Sequence, residues 1–63
     1  MPRALTIHRS AIPSRDRARY LDELKVRAAH YTAAQCRWGV FEERSLPGAF
    51  MEFIEADDPQ TLA

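Results

Sequence analysis

Apolar positions along this chain change period twice. From Ala4 to Ile12 they alternate, with Leu5 and Ile7 on one side and Thr6, His8 and Ser10 on the other. That period of two predicts a half-buried strand over 4–12. Pro13 ends it, because it cannot donate to a ladder and biases Ile12 toward extended backbone. The spacing then lengthens: Tyr20, Leu21, Leu24, Ala28 and Tyr31 recur at steps of three and four and form one stripe of a helix over 15–34. Ser14 is the expected N-cap, with Asp16 in the first turn where the helix dipole favours an acid. On the wet side Asp16–Arg19, Asp22–Lys25 and Glu23–Arg27 can pair, each worth about 0.2–0.5 kcal/mol.

Period two returns over 37–43 and 49–56, segments rich in Trp, Val, Phe and Ile. Between them Pro47 presets φ for the second position of a turn, and Gly48 accepts the positive φ of a type II third position. Placing Glu43 opposite Ala49 sets the register. Phe41 then faces Met51, Gly39 faces Phe53, Trp38 faces Ile54 and Arg37 faces Glu55. In this register a ring covers the glycine and opposite charges meet at the open end.

The same register sorts the faces. Gly39, Phe41, Met51 and Phe53 share one, read as the core beneath the helix. Trp38, Val40, Phe50 and Ile54 share the other, with Glu42 and Glu52 among them. Four large apolar groups on one surface call for a cover, and these four are the predicted subunit interface or ligand surface.

The element order is strand, helix, strand, strand, followed by Asp58 as an N-cap and Pro59 at the first helical position. The expected fold is α+β: a single domain, 1–63, of ferredoxin-like βαββ type. It has an antiparallel sheet, one helix on one face, and a second subunit on the other. The first strand is left as a free edge, a known liability for further pairing.

Composition narrows the classes. A chain of 63 residues buries only about 60% of its unfolded surface, and such small domains commonly gain stability by oligomerising. Cys36 is the only cysteine and there are two histidines, too few ligands for a zinc site. No apolar run is long enough to span a membrane, and the N-terminus MPRALTIHRS lacks a signal-peptide core, so a cytoplasmic location is expected. Net charge is zero, yet residues 1–31 carry +4 and residues 32–63 carry −4. Such a dipolar chain either solvates a basic helix beside an acidic hairpin or pairs the helix of one copy with the hairpin of another. With no aromatics interleaving the arginines at 15, 17 and 19, nucleic-acid binding is not expected. No glycine-rich phosphate loop or metal-ligand spacing is present, so no cofactor or metal is expected.

The strand ending in Ile12-Pro13, the charged helix, Gln35-Cys36, Trp38-Gly39-Val40-Phe41-Glu42, Leu46-Pro47-Gly48-Ala49-Phe50 and Glu52-Phe53-Ile54-Glu55-Ala56 together resemble the antibiotic biosynthesis monooxygenase-like family. The resemblance runs up to Asp58 and implies a dimeric α+β barrel, in a short version lacking the last helix and strand. It also implies that the sheet face away from the helix meets a second subunit, with Trp38, Val40, Phe50 and Ile54 in that role.

Ferredoxin-like strand order makes the first and third strands neighbours, so His8 and Glu52 share a face near Trp38. A carboxylate that fixes an imidazole is a usable base, which makes these two the candidate catalytic pair. The plainer reading pairs Glu52 with an arginine, such as Arg9 or Arg37 of a partner chain. Cys36 reads as a small buried hydrophobe and His30 as a solvated helix residue. The function expected is that of a small self-associating protein, a homodimer or a higher even oligomer, whether or not it is an enzyme. The alternative is a cofactor-independent monooxygenase-like enzyme, or a binder of small aromatic or polyketide-like molecules, with a Trp38-lined cavity between subunits.

Overall fold

The computed structural model describes residues 2–62. Strand β1 spans Ala4–Ala11, helix α1 Arg17–Ala33, strand β2 Arg37–Glu42 and strand β3 Ala49–Ala56. The strands form one antiparallel sheet in the order β1-β3-β2, and α1 packs on a single face of it. This is the α+β, ferredoxin-like βαββ arrangement the periodicity predicts. β3 is central, which leaves β1 and β2 as the edges among the described residues.

The hairpin register is the predicted one: Arg37–Glu55, Trp38–Ile54, Gly39–Phe53 and Phe41–Met51 are direct partners. It is pinned by its turn. The N–H of Ala49 donates to the Leu46 carbonyl at 3.0 Å, and the N–H of Glu43 donates to Ala49 at 2.8 Å. Gly48 has φ +91°, and a Cβ there would lie 2.6 Å from the Ile12 carbonyl oxygen. Both the dihedral and the close approach therefore require glycine. We expect Gly48→Ala to destabilise the fold by about 2 kcal/mol, since strain and a backbone clash add. Chemical denaturation checks this; a loss under ~0.5 kcal/mol would show that the turn yields at little cost.

Element ends differ from expectation by one or two residues. The 3-10 turn Ser14–Asp16 precedes α1, and Ser14 lies inside it rather than before it. Ser14 accordingly makes no side-chain cap; the Pro13 carbonyl receives the Asp16 N–H instead, at 2.9 Å. The C-terminus closes by a Schellman motif, with the Cys36 N–H donating to Tyr31 and the Gln35 N–H to Thr32. Gln35 occupies its left-handed position at φ 62°, where glycine is usual. At the chain's other turn Asp58 caps as predicted, accepting the Thr61 N–H at 3.0 Å ahead of the 3-10 segment Pro59–Leu62.

The face assignment is corrected. Trp38, Val40, Phe50 and Ile54 lie beneath α1, packed with Tyr20, Leu24 and Tyr31. Gly39, Phe41, Met51 and Phe53 lie on the opposite, uncovered face. Sequence reading had given the first group, with Glu42 and Glu52 among it, to a second subunit or a ligand. The helix satisfies both glutamates with its own arginines, so an apolar set that contains two acids becomes the core.

Candidate functional site

Two places on the sheet carry the side chains that sequence singles out. The first lies between α1 and β1. His8 is the direct β1–β3 partner of Glu52, and both share the helix-side face. Glu52 is buried, at 6% exposure, on the central strand. Its Oε2 accepts from Trp38 Nε1 at 2.5 Å and from Arg27 Nε at 3.1 Å. Arg27 also lies over the Tyr20 ring, 5.7 Å from its centroid. An arginine does hold Glu52, but it comes from this chain's own helix rather than from a partner's Arg9 or Arg37. His8 is exposed and makes no hydrogen bond to Glu52 among the described contacts. The two sequence-predicted catalytic residues are thus neighbours in the ladder without being a hydrogen-bonded dyad. Together with Ser10, Arg27, Tyr31 and Ile54 they line an open cleft of about 270 Å³. Its chemistry is that of a carboxylate already engaged by two donors, facing an imidazole in water.

A second ion pair anchors the other end of the helix. Arg17 reaches Glu42 with both terminal guanidinium nitrogens, at 2.6 and 2.8 Å, and Gly48 N–H donates to the same carboxylate at 2.9 Å. The Arg17 bonds, with the Gly48 amide behind them, lower the Glu42 pKa from 4.5 to about 2 against the opposing effect of partial desolvation. The folded value lies below the unfolded one, so this contribution to stability is present above about pH 4.5 and lost as pH falls toward 2. We therefore expect Glu42→Gln to remove part of the acid-induced fall in melting temperature across that window. An unchanged acid limb in a pH series of thermal melts would contradict it. Sequence reading put Arg27 on the wet side and gave Arg17 no partner. The charge asymmetry between the two halves is partly neutralised within one chain, basic helix on acidic hairpin.

The second place is the uncovered face of the sheet. Successive rows across it read Leu5–Glu55–Arg37, Ile7–Phe53–Gly39 and Arg9–Met51–Phe41. Phe53 lies over Gly39, close enough that a Cβ there would meet its ring at 2.4 Å. Phe41 stacks beside Phe53 at 5.9 Å between centroids. Leu5, Ile7 and Phe41 are 57%, 46% and 58% exposed, an apolar band that no described element covers. One end of the band is ionic. Arg37 binds Glu55 at 2.7 Å and Asp57 at 2.9 Å, and Arg3 stands 3.7 Å from Glu55. The Arg37 hydrogen bond depresses the Glu55 pKa and is the main reason the Arg37 pKa rises. At the other end lies an open depression of about 610 Å³, whose lining includes Ala11, Ala49, Arg9, Phe41, Arg44 and Met51.

The remaining candidates stay structural. Cys36 is buried in the small cluster with Ile54 and Ala56, and His30 is exposed with its ring against Tyr31. Among the described residues no three His, Cys, Asp or Glu side chains could hold a metal ion, and no helix is long and apolar enough to cross a membrane.

No family model, curated protein or solved structure matches this chain. Trp38 does not line the uncovered face, so a cavity between subunits built around it is replaced by the pairing of Trp38 with Glu52 under the helix.

Proposed function

We propose that this protein is a small self-associating α+β module whose uncovered sheet face binds a second copy. The observation that carries the reading is the apolar band Leu5, Ile7, Phe41, Met51 and Phe53 on a face without a covering layer. The surface arithmetic supports it. The chain exposes 4911 Å², whereas a compact monomer of 7.2 kDa exposes about 4,100 Å². The excess, about 800 Å², matches what each partner contributes to a standard interface. Shape agrees: the radius of gyration is 12.9 Å against about 10.6 Å for a compact domain of this length. Among the described residues only the small Ala56 falls below 2% exposure, and no large side chain does, so one helix alone leaves the core thin. Sheet-on-sheet packing at about 10 Å would give that core a third and a fourth layer. Sedimentation equilibrium tests the proposal. A dimer or a higher even oligomer at micromolar concentration is expected, and a monomer throughout would overturn it.

A second reading has one observation in its favour. Glu52 Oε2 takes both protein donors, which leaves Oε1 without a partner among the described residues, beside the His8 cleft. A small aromatic molecule carrying a hydroxyl could donate there. Trp38 donates to the same carboxylate, so its emission should respond to titration with 2-naphthol; no saturable change would remove this reading.

A further inference from the structure

The uncovered face is asymmetric in charge, and the asymmetry selects one way for two copies to meet. This inference rests on the self-association just proposed. Arg9 and Arg44 line the depression with Ala11 and Ala49, and neither has an ion-pair partner among the described residues. Glu42 and Glu43 line it too, but Glu42 is held by Arg17, so two free guanidinium groups stand against the one carboxylate of Glu43, which accepts the Ser45 N–H. At the opposite end Asp57 gives one oxygen to Arg37 while its side chain stays 81% exposed. Asp57 and Ala49 are each four residues from Phe53 along the same stretch of chain, about 13 Å in either direction.

We infer that the two-fold axis of the dimer runs across the strands, over Phe53, and that Asp57 of each copy enters the Arg9–Arg44 depression of the other. With the strands of the two copies aligned, two face-to-face arrangements are symmetric. With the axis along the strands, every row lies over its own copy, so Glu55 meets Glu55 and Asp57 meets Asp57. Like carboxylates would then face each other across a closing interface, which is costly. With the axis across the strands the rows reverse. Phe53 meets Phe53, Arg37 lies over Phe41, and Asp57 comes over Ala49. The small Ala11 and Ala49 side chains leave room, and the two guanidinium groups outweigh the single free carboxylate of Glu43. Arginine forks suit a carboxylate. The same contact occurs twice, as an isologous interface requires.

A charge swap tests it. Asp57→Arg alone, and Arg9→Asp with Arg44→Asp, should each raise the dimer dissociation constant at least ~10-fold, because each sets like charges against like in both clamps. Mixed in equal amounts, the two variants should form a heterodimer of near wild-type affinity, since both clamps are then complementary. Native mass spectrometry reads the mixed species directly, and circular dichroism of each variant reports its fold. Variants that dimerise as tightly as the wild type, with no preference for mixing, would overturn this orientation and leave the face reading standing. A monomeric wild type would remove both. A monomer whose Arg9 and Arg44 signals shift on adding benzoate would assign the depression to a free carboxylate instead.

Discussion

Replacing Arg27 with alanine is expected to cost about 3 kcal/mol, the largest single-site loss that the helix–sheet contact can produce without creating a large cavity. The reason is the partner left behind. Glu52 is 6% exposed and sits on the central strand, where it cannot swing out into water. Without Arg27 its carboxylate keeps the Trp38 indole as its one donor. Removing one member of a buried ion pair typically costs about 3–5 kcal/mol, and the lower end applies because the Arg27 side chain is 37% exposed. A domain of this length has of order 3–9 kcal/mol in total, so the variant should be close to half unfolded in the least favourable case. Urea denaturation followed by the single tryptophan measures it. Adding Glu52→Gln to Arg27→Ala should recover part of the loss, because a neutral amide costs less to bury than an unpaired carboxylate. A loss below ~1 kcal/mol, or no recovery, would mean that Glu52 is better hydrated than its burial implies.

That pair also explains where sequence reading succeeded and where it failed. The hairpin register was legible because its determinants are local. Pro47-Gly48 fixes the turn, Phe53 needs a glycine to lie on, and Arg37 meets Glu55. The choice of face was not local. Positions 17, 20, 24, 27 and 31 form a stripe with steps of three and four, and two of the five are arginines. A stripe scored on apolarity alone drops Arg17 and Arg27. Without them, Glu42 and Glu52 have no partner and push their face toward solvent. Arginine stems pack as apolar matter while their heads satisfy acids, so charged residues can belong to a core stripe. The cue was the matched spacing: two arginines ten residues apart on the helix, and two glutamates, one on each hairpin strand, on a common face.

The correction moves the question of cover to other residues without removing it. An apolar hairpin with two faces needs two layers. The helix supplies one over Trp38, Val40, Phe50 and Ile54. Leu5, Ile7, Phe41, Met51 and Phe53 keep the demand that sequence reading had placed on the opposite set. β1 adds Leu5 and Ile7 to this face, and its alternation had already put those two together. The catalytic reading weakens for a related reason. Glu52 is committed to Trp38 and Arg27, which are structural partners, and His8 stands beside it unbonded.

Phe53→Asp should separate association from folding. Phe53 is half-buried at the centre of the uncovered face, over Gly39 and beside Phe41, and takes no part in the clusters under the helix. A carboxylate there removes the central aromatic anchor and, with the axis across the strands over that residue, sets two like charges against each other. Central aromatic anchors dominate such interfaces, so the dimer dissociation constant should rise at least ~100-fold, about 2.8 kcal/mol. The monomer fold should suffer less, because Tyr20, Leu24 and Phe50 stay packed on the other side of the sheet. Sedimentation equilibrium gives the first quantity and far-ultraviolet circular dichroism the second. For the wild type, the unfolding midpoint should climb with protein concentration, as it must when folding and association are linked. In Phe53→Asp that dependence should vanish. Phe53→Leu, which keeps an apolar group in place, should retain most of it. If Phe53→Asp leaves the association constant unchanged, the uncovered face is not where two copies meet.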